Sequence, residues 1–235
     1  MVWGLGRVFT MTDTSSFDEA VRLGIYRGLA KAGRPPSRAD LSTALGASVG
    51  DVSVAVDRLA ADRHLVLDAG GAIVMAHPFA TINLGFSVMG ENTLWWGGCA
   101  WDSFALPNLV EREPSVVVAT TCPGCGVALA WTVTNQAAPT GDAIAHFLTP
   151  MANAWDDVVR TCANQRLFCG EGCLSDWLSR TGEARGSTMD LNTLWSFAKH
   201  WYDGRLDTPY QRREPSEAKD YFRQSGLTGP FWGLD

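Results

Sequence analysis

The sequence predicts an α+β protein in which a helical N-terminal module precedes a mixed α/β domain. Apolar residues recur at helical spacing over the first 60 residues or so, and strand-like runs joined by Gly- and Pro-containing turns follow. Helical patterns return towards the C-terminus. The 235 residues suffice for one large domain or two small ones. We divide them into a module at 15–80, a mixed α/β domain at 81–185 and a helical extension packed on the core at 186–235.

The N-terminal module is predicted to contain three helices followed by a hairpin. Ser16 and Glu19 have the spacing of a capping box at the start of the first helix. The second helix follows a proline start and ends at Gly46, and the third covers residues 49–65. Two apolar runs around residues 68–71 predict the hairpin. This order of elements is typical of a winged-helix-like module.

Winged helices most often bind DNA through their third helix, so a regulator is the first alternative to consider. Here the basic residues of that helix, Arg58 and Arg63, are offset by three acidic ones: Asp51, Asp57 and Asp62. Phosphate contacts require several basic side chains on one surface. We therefore expect a structural or lid role for the module. The same charge pattern argues against a metal-sensing winged-helix regulator.

Composition excludes further classes of function. The net charge of −6 and the pI of about 5.2 argue against broad binding to nucleic acid or to an anionic membrane. No apolar run approaches the roughly 20 residues of a membrane-spanning helix, and the N-terminus lacks a signal-peptide core. These observations predict a cytoplasmic protein, in which the six cysteines stay reduced.

Beyond residue 80 the pattern becomes mixed. Residues 81–110 predict a strand, a turn and a helix, and residues 115–135 predict two strands joined by a Cys-Pro-Gly-Cys turn. Residues 143–148 fit either a strand or a helix. A short helix is expected near residues 171–180, and a longer one follows with Asp190 as its N-cap and Gly204 as its stop. A last short helix and an aromatic tail complete the chain.

Four cysteines form two spaced pairs, Cys122 with Cys125 and Cys169 with Cys173. Four thiolates on a turn and at a helix start are typical of a structural zinc site, although the second pair has a Cys-x3-Cys spacing instead of the usual Cys-x2-Cys. A redox disulfide at the first pair is disfavoured because a strand, not a helix, follows it. The four histidines show no spacing suited to a metal.

A thiol and a carboxyl lie together at Cys99 and Asp102, since residues i and i+3 share one face of a helical turn. Aromatic walls should raise the pKa of the carboxyl, which then serves as a proton carrier. Cys169 supplies a second thiol for a soft, thiophilic atom, and Cys162 is expected to be an ordinary buried cysteine. The tryptophans nearby are more typical of pocket wall or core: Trp95, Trp96 and Trp101.

The segment Cys99-Ala100-Trp101-Asp102, followed by Leu-Pro and later by Phe168-Cys169, resembles the organomercurial (alkylmercury) lyases. Together with the N-terminal module, the resemblance extends from about residue 15 to 180. It implies a lyase-like fold, and it implies that Cys122 is structurally important.

The resemblance also implies a reaction. Thiolates of Cys99 and Cys169 bind mercury, while Asp102 shuttles a proton to the carbon, so that the carbon–mercury bond breaks by protonolysis. No cofactor is required. The partners implied are an organomercurial or other thiophilic small molecule, and a cellular thiol or mercuric reductase that removes the mercuric ion. Neither nucleic acid nor membrane is expected as a partner.

Two alternatives remain open at the level of sequence. One is a protein of lyase fold that acts on an organic substrate without mercury and holds a structural zinc ion at Cys122, Cys125, Cys169 and Cys173. That arrangement conflicts with a free Cys169 at a catalytic site. The other is the metal-sensing winged-helix protein already disfavoured by its charge.

Overall fold

A computed structural model describes residues 11–234, and within them the chain combines eight helices with two antiparallel sheets. The predicted α+β class is confirmed. Three helices come first: α1 (Met11–Ala32), α2 (Arg38–Leu45) and α3 (Val49–Ala61). Two strands follow them, β1 (Val66–Leu67) and β2 (Ile73–Ala76). Strands β1 and β2 pair antiparallel, so three helices and a hairpin follow one another as predicted.

The helix starts in this region are capped by serines. Ser37 and Ser48 each accept the N–H of an aspartate three residues on, and each aspartate side chain reaches back to the N-cap backbone. The N-cap predicted at Ser16 is wrong, because α1 begins at Met11 and runs through this position. Glu19 instead pairs with Arg22 at 2.6 Å.

The larger sheet contains seven strands within the described residues, in the order β1-β2-β3-β5-β4-β6-β7. Its further strands β3 to β7 are Phe79–Ala80, Phe86–Met89, Leu94–Gly97, Ser115–Thr121 and Ala128–Thr134. Strand β3 pairs with both β2 and β5, so this sheet continues across the predicted boundary at residues 80 and 81. The Cys-Pro-Gly-Cys turn joins β6 to β7, as the sequence predicted.

A second sheet has three strands in the order β10-β8-β9. Strand β8 (Ile144–Phe147) resolves the ambiguity at residues 143–148 in favour of a strand, since it pairs on both sides with β9 (Gln165–Phe168) and β10 (Ser187–Asp190). A 3-10 turn and the short helix α5 (Val158–Ala163) precede β9, and α6 (Glu171–Thr181) follows it.

The helix α4 (Ala100–Leu109) lies at the centre of the molecule. It contacts β4, β5, β6, β7 and β9 as well as α7 (Leu191–Lys199). Nine of its ten residues are buried, because apolar and small side chains lie on all sides of the helix. Asp190 caps α7 as predicted, accepting the N–H of Thr193 at 2.7 Å. The helix ends at Lys199, before the predicted stop at Gly204.

The C-terminal segment adds α8 (Pro215–Gln224) and a 3-10 turn at Pro230–Trp232. Its aromatic side chains pack with those of α7 and α4: the ring centroid of Phe222 lies 5.5 Å from that of Phe197 and 6.4 Å from that of Trp101. This segment therefore belongs to the main core. No helix in residues 11–234 has the length and apolar character needed to cross a bilayer.

Candidate active site

A cavity of about 470 Å³ lies at the N-terminus of α4. Its wall includes Cys99, Asp102 and Cys162, together with His77 and Tyr202. Cys99, Asp102 and Cys162 are almost entirely buried, with exposed fractions of 1%, 1% and 4%. Two thiols, a carboxyl, an imidazole and a phenol thus line one cavity, and the thiols and the carboxyl are its most buried groups.

Cys99 is the N-cap of α4. Its backbone is extended, and its Sγ accepts the N–H of Asp102 at 3.4 Å. The thiol therefore takes the place that serine or threonine usually occupies at this position. The partial positive charge of a helix N-terminus favours a thiolate there. Burial, the nearby Cys162 thiol and the charge of Asp102 nevertheless raise the pKa of Cys99 well above its usual range.

The two glycines before Cys99 make room for α4 to approach the sheet. A Cβ at Gly98 would lie 2.1 Å from Asp102 Oδ2, and a Cβ at Gly97 would lie 2.0 Å from Ser103 Oγ. Neither position has space for a side chain. The two glycines are thus required by the close approach of the Ser103 hydroxyl to Gly97 and of the Asp102 carboxyl to Gly98.

Asp102 is held by a buried phenol. The hydroxyl of Tyr202 donates a hydrogen bond to Asp102 Oδ1, whereas Oδ2 is buried and has no hydrogen-bond partner among the described residues. Burial raises the pKa of Asp102 to about 7, although the Tyr202 hydroxyl and the nearby Cys99 thiol act in the opposite direction. This is the direction that the sequence predicted. Asp102 can thus both accept and release a proton near neutral pH.

Tyr202 is supported in turn by contacts that lead through Arg205 to Tyr26. The guanidinium of Arg205 lies 5.2 Å from the centroid of the Tyr202 ring and donates to the hydroxyl of Tyr26 at 3.0 Å. Tyr26 in turn donates to the main-chain oxygen of His64 at 2.6 Å. Because Tyr26 lies on α1, the N-terminal helices take part in positioning the carboxyl group.

Cys162 is the second thiol at the cavity. It lies near the end of α5, has its Sγ 3.4 Å from His77 Nε2 and lines the cavity together with Cys99. The Cys99 thiol lowers the pKa of Cys162, but burial and the charge of Asp102 raise it more. Burial, with Arg205 and Arg212, lowers the pKa of His77 to about 3, so this imidazole is neutral at neutral pH.

The rest of the cavity wall is aromatic and basic. Trp101 lies on it, whereas Trp95 is buried in the core and donates its indole N–H to the main-chain oxygen of Leu29 at 2.9 Å. The half-buried Trp96 packs against the core and is not part of this wall. The basic side chains on the wall are Arg63, Arg205, Arg212, Arg213 and Lys219. The cavity is therefore apolar with a positively charged rim, in a chain whose net charge is negative.

The other four cysteines form a separate cluster. The Sγ atoms of Cys122, Cys125, Cys169 and Cys173 all lie within 4.8 Å of one another, and none is in a disulfide. Burial raises the pKa of Cys122, but backbone N–H groups of Cys169, Cys125 and Gly124 outweigh it and bring the pKa to about 7. Cys122, the buried member of this cluster, packs in a small core separate from the main one, and the half-buried Cys169 and Cys173 pack against it.

This arrangement corrects the predicted pairing of Cys99 with Cys169. The structure brings Cys162 to Cys99 and places Cys169 with the other three cysteines instead. The physical reason is β9, which separates the two candidates: Cys162 precedes this strand and Cys169 follows it. Four extended residues span roughly 13 Å, so both thiols cannot reach the same site. Cys162 is buried, as expected, and in addition lines the cavity together with Cys99.

A family comparison decides the relationship of this chain to known proteins. The family model described as MerB, alkylmercury lyase, matches residues 79–203, just over half of the 235 residues. The chain belongs to the alkylmercury lyase family. The matched segment contains α4, both thiols of the cavity and Tyr202.

A solved structure described as the mercury-bound form of MerB2 shares the fold of this alkylmercury lyase family member. It superposes with a TM-score of 0.59 at 20% sequence identity, covering 83% of this chain and 100% of the other. Among curated proteins, none matches the sequence significantly.

Sequence reasoning missed Cys162, His77 and Tyr202 at this site. One signal could have found Cys162: the two spaced pairs account for four of the six cysteines, which leaves Cys99 and Cys162 as the remaining two. No local pattern marks His77 or Tyr202, because each is brought to the cavity from a distant element by packing.

Proposed function

We propose that this member of the alkylmercury lyase family cleaves a carbon–mercury bond by protonolysis, with Cys99 and Cys162 as mercury ligands and Asp102 as proton carrier. One observation carries the proposal. Both thiols and the carboxyl are buried side chains that line a single cavity, and Asp102 has a pKa of about 7. Soft thiolates suit mercury, and a carboxyl of this pKa suits proton transfer at neutral pH.

The reaction begins with exchange of thiolate ligands. An organomercurial R–Hg–SR′ enters as the adduct of a cellular thiol, and the Cys99 sulfur displaces that thiol, which leaves as R′SH with the proton of Cys99. The products of this step are R–Hg–S(Cys99) and a free cellular thiol. The α4 N-terminus favours negative charge on the Cys99 sulfur as the bond forms.

The second thiol then provides the proton that the carbon needs. Asp102 accepts the proton of Cys162, and the Cys162 thiolate binds mercury as its second sulfur ligand. Asp102 returns this proton to the carbon, the carbon–mercury electron pair forms the new C–H bond, and R–H leaves. Mercuric ion remains on two sulfurs and Asp102 is a carboxylate again. Cellular thiols or a mercuric reductase then remove the ion.

Two further residues position these groups. Tyr202 holds Asp102 through Oδ1, which leaves Oδ2 free for proton transfer. In the tautomer with an unprotonated Nε2, neutral His77 accepts the S–H of Cys162. Holding the reacting groups in one arrangement accounts for the cleavage of a bond that is unreactive in water.

The N-terminal elements have a structural role in this proposal. They form a winged-helix-like module. Its third helix is not expected to bind nucleic acid, since the basic side chain of Arg58 is already paired with Asp18 at 2.6 Å. Tyr26 supports the site through Arg205, and His77 extends from the loop after β2 to the cavity. A protein with these properties would act in the cytoplasm on thiol adducts of organomercurials.

Release of a hydrocarbon tests the proposal directly. The purified chain, incubated with phenylmercury and excess thiol, is expected to produce benzene, measured by gas chromatography, with one mercuric ion formed per benzene. Methane from methylmercury is the corresponding measurement for an alkyl substrate. Binding of the mercurial without any hydrocarbon would contradict the assigned reaction and favour a protein of lyase fold with another substrate.

Tyr202→Phe is expected to shift the pH dependence of cleavage. The reactive form has an ionised Asp102 and protonated thiols, so the rate rises with pH through the pKa of Asp102. The Tyr202 hydroxyl lowers that pKa. Its removal should therefore shift the acidic limb, the pH range over which the single-turnover rate rises, to higher pH by roughly one unit.

A matched control is Tyr221→Phe, which removes a hydroxyl bonded to the main-chain oxygen of Phe197 at 2.7 Å. Its acidic limb should coincide with that of the wild type. If Tyr202→Phe also left the limb in place and changed only thermal stability, then Tyr202 would be part of the core without acting on Asp102.

A further inference from the structure

The cluster of Cys122, Cys125, Cys169 and Cys173 lies outside the proposed active site and takes no part in its chemistry. We propose that it is a structural zinc site that binds one Zn²⁺ through four thiolates. Zinc sites of this type are tetrahedral, with Zn–S distances near 2.3 Å, which places the sulfurs about 3.8 Å apart. The Sγ atoms of Cys125 and Cys169 are 3.5 Å apart, and all four lie within 4.8 Å of one another.

The turn between β6 and β7 has the backbone that such a site needs. Gly126 has a φ of 78° and donates its N–H to the main-chain oxygen of Cys122 at 2.8 Å, while the N–H of Cys122 bonds to Val127 at 2.9 Å. Only glycine adopts this φ without strain. The turn therefore brings the two sulfurs of its Cys-x2-Cys pair to the same side.

The second pair comes from the junction of β9 and α6. Cys169 directly follows β9, and Cys173 lies in the first turn of α6. The N–H of Cys169 donates to Cys122 Sγ at 3.4 Å. Such N–H···S hydrogen bonds stabilise negative charge on a sulfur and orient it, as the outer partners of metal ligands commonly do.

The two halves of the site are fitted to each other at Gly124. A Cβ at this position would lie 2.3 Å from the main-chain oxygen of Cys173, so the backbones are in direct contact. Arg180, in the last turn of α6, donates to the main-chain oxygens of Pro123 and Gly124 at 3.0 and 2.9 Å. The turn is thus held against α6 by contacts besides the cysteines.

Binding of Zn²⁺ replaces the S–H protons, which pass to solvent, and involves no change of oxidation state. The ion would connect the seven-stranded sheet, through the β6–β7 turn, to the end of β9 in the three-stranded sheet. The other end of β9 is preceded by α5, which holds Cys162. Bound zinc would therefore hold the end of β9, the strand that separates Cys162 from Cys169.

Metal analysis of the full-length chain tests this site independently of any lyase activity. The protein, purified from zinc-supplemented medium without chelator, is expected to contain one zinc per chain by elemental analysis and by native mass spectrometry. Cys173→Ser should lose most of that zinc. Cys162→Ser is the matched control and should keep it, because this thiol belongs to the other cysteine group.

A spectroscopic test covers the case in which Cys173→Ser does not fold. Zinc in the wild-type chain is exchanged for Co²⁺, which is expected to give the thiolate charge-transfer and d–d bands of a tetrahedral four-sulfur site. Chelator treatment should also lower the melting temperature of the wild type. Three results would overturn the proposal: a zinc-free chain that takes up neither metal, a Cys125–Cys169 disulfide in freshly reduced protein, or iron or copper in place of zinc.

Discussion

Asp102→Asn is expected to lower the rate of carbon–mercury cleavage by roughly 10²- to 10⁴-fold, the usual contribution of a positioned proton donor. Asparagine has nearly the same shape and keeps an oxygen that can accept the hydrogen bond of Tyr202. It cannot accept a proton from Cys162 or return one to the carbon. The variant should therefore bind the mercurial on Cys99 and retain the organic group, as intact-protein mass spectrometry would show.

The control for this variant is Asp57→Asn, which removes an exposed carboxylate on α3. It changes the net charge by the same amount and should cleave at the wild-type rate. Single-turnover hydrocarbon release is the measurement for both. An Asp102→Asn variant that turned over normally would exclude Asp102 as proton carrier, and the proton would then have to reach the carbon from a thiol or from water.

Cys162→Ser is expected to reduce cleavage to the rate without protein. The serine hydroxyl is a hard ligand that does not replace a thiolate on mercury, and its proton is far less acidic. The mercurial should remain bound to Cys99 as R–Hg–S, without transfer of the ion to a second sulfur. Mass spectrometry of the protein after exposure to phenylmercury should find the phenyl group still attached.

Cys169→Ser separates the two pairings of thiols. If Cys162 is the second mercury ligand, folded Cys169→Ser protein should still release benzene, well above the level of Cys162→Ser, even though it binds zinc less well. Circular dichroism verifies that each variant is folded. Loss of cleavage in folded Cys169→Ser with full activity in Cys162→Ser would restore the pairing expected from sequence.

The parts of the fold that depend on local signals were predicted well. Gly46 ends α2 with a φ of 63°, a left-handed backbone that glycine adopts readily, and Asp190 caps α7. The β6–β7 hairpin follows from two apolar runs and a turn containing proline and glycine. The exception at Ser16 is instructive, because a capping pattern is also compatible with a position inside a helix that begins earlier.

The candidate site was predicted in part. Cys99 and Asp102 lie within one helical turn, so their proximity could be inferred from spacing alone. Their roles at the helix start could not, since the cysteine and not the aspartate is the N-cap. The partners of Asp102 come from elsewhere: Tyr202 is 100 residues away in sequence and reaches the carboxyl through the packing of α7 on α4.

The sequence by itself determined the α+β class, the resemblance to alkylmercury lyases and the pairing of Cys99 with Asp102, because each depends on local spacing or on a short motif. Only the tertiary structure decided which distant thiol meets Cys99. Cys162 and Cys169 are seven residues apart, and both follow the Cys-Ala-Trp-Asp motif in the chain. Strand β9 lies between them, so its direction places one in the cavity and the other among the four clustered cysteines.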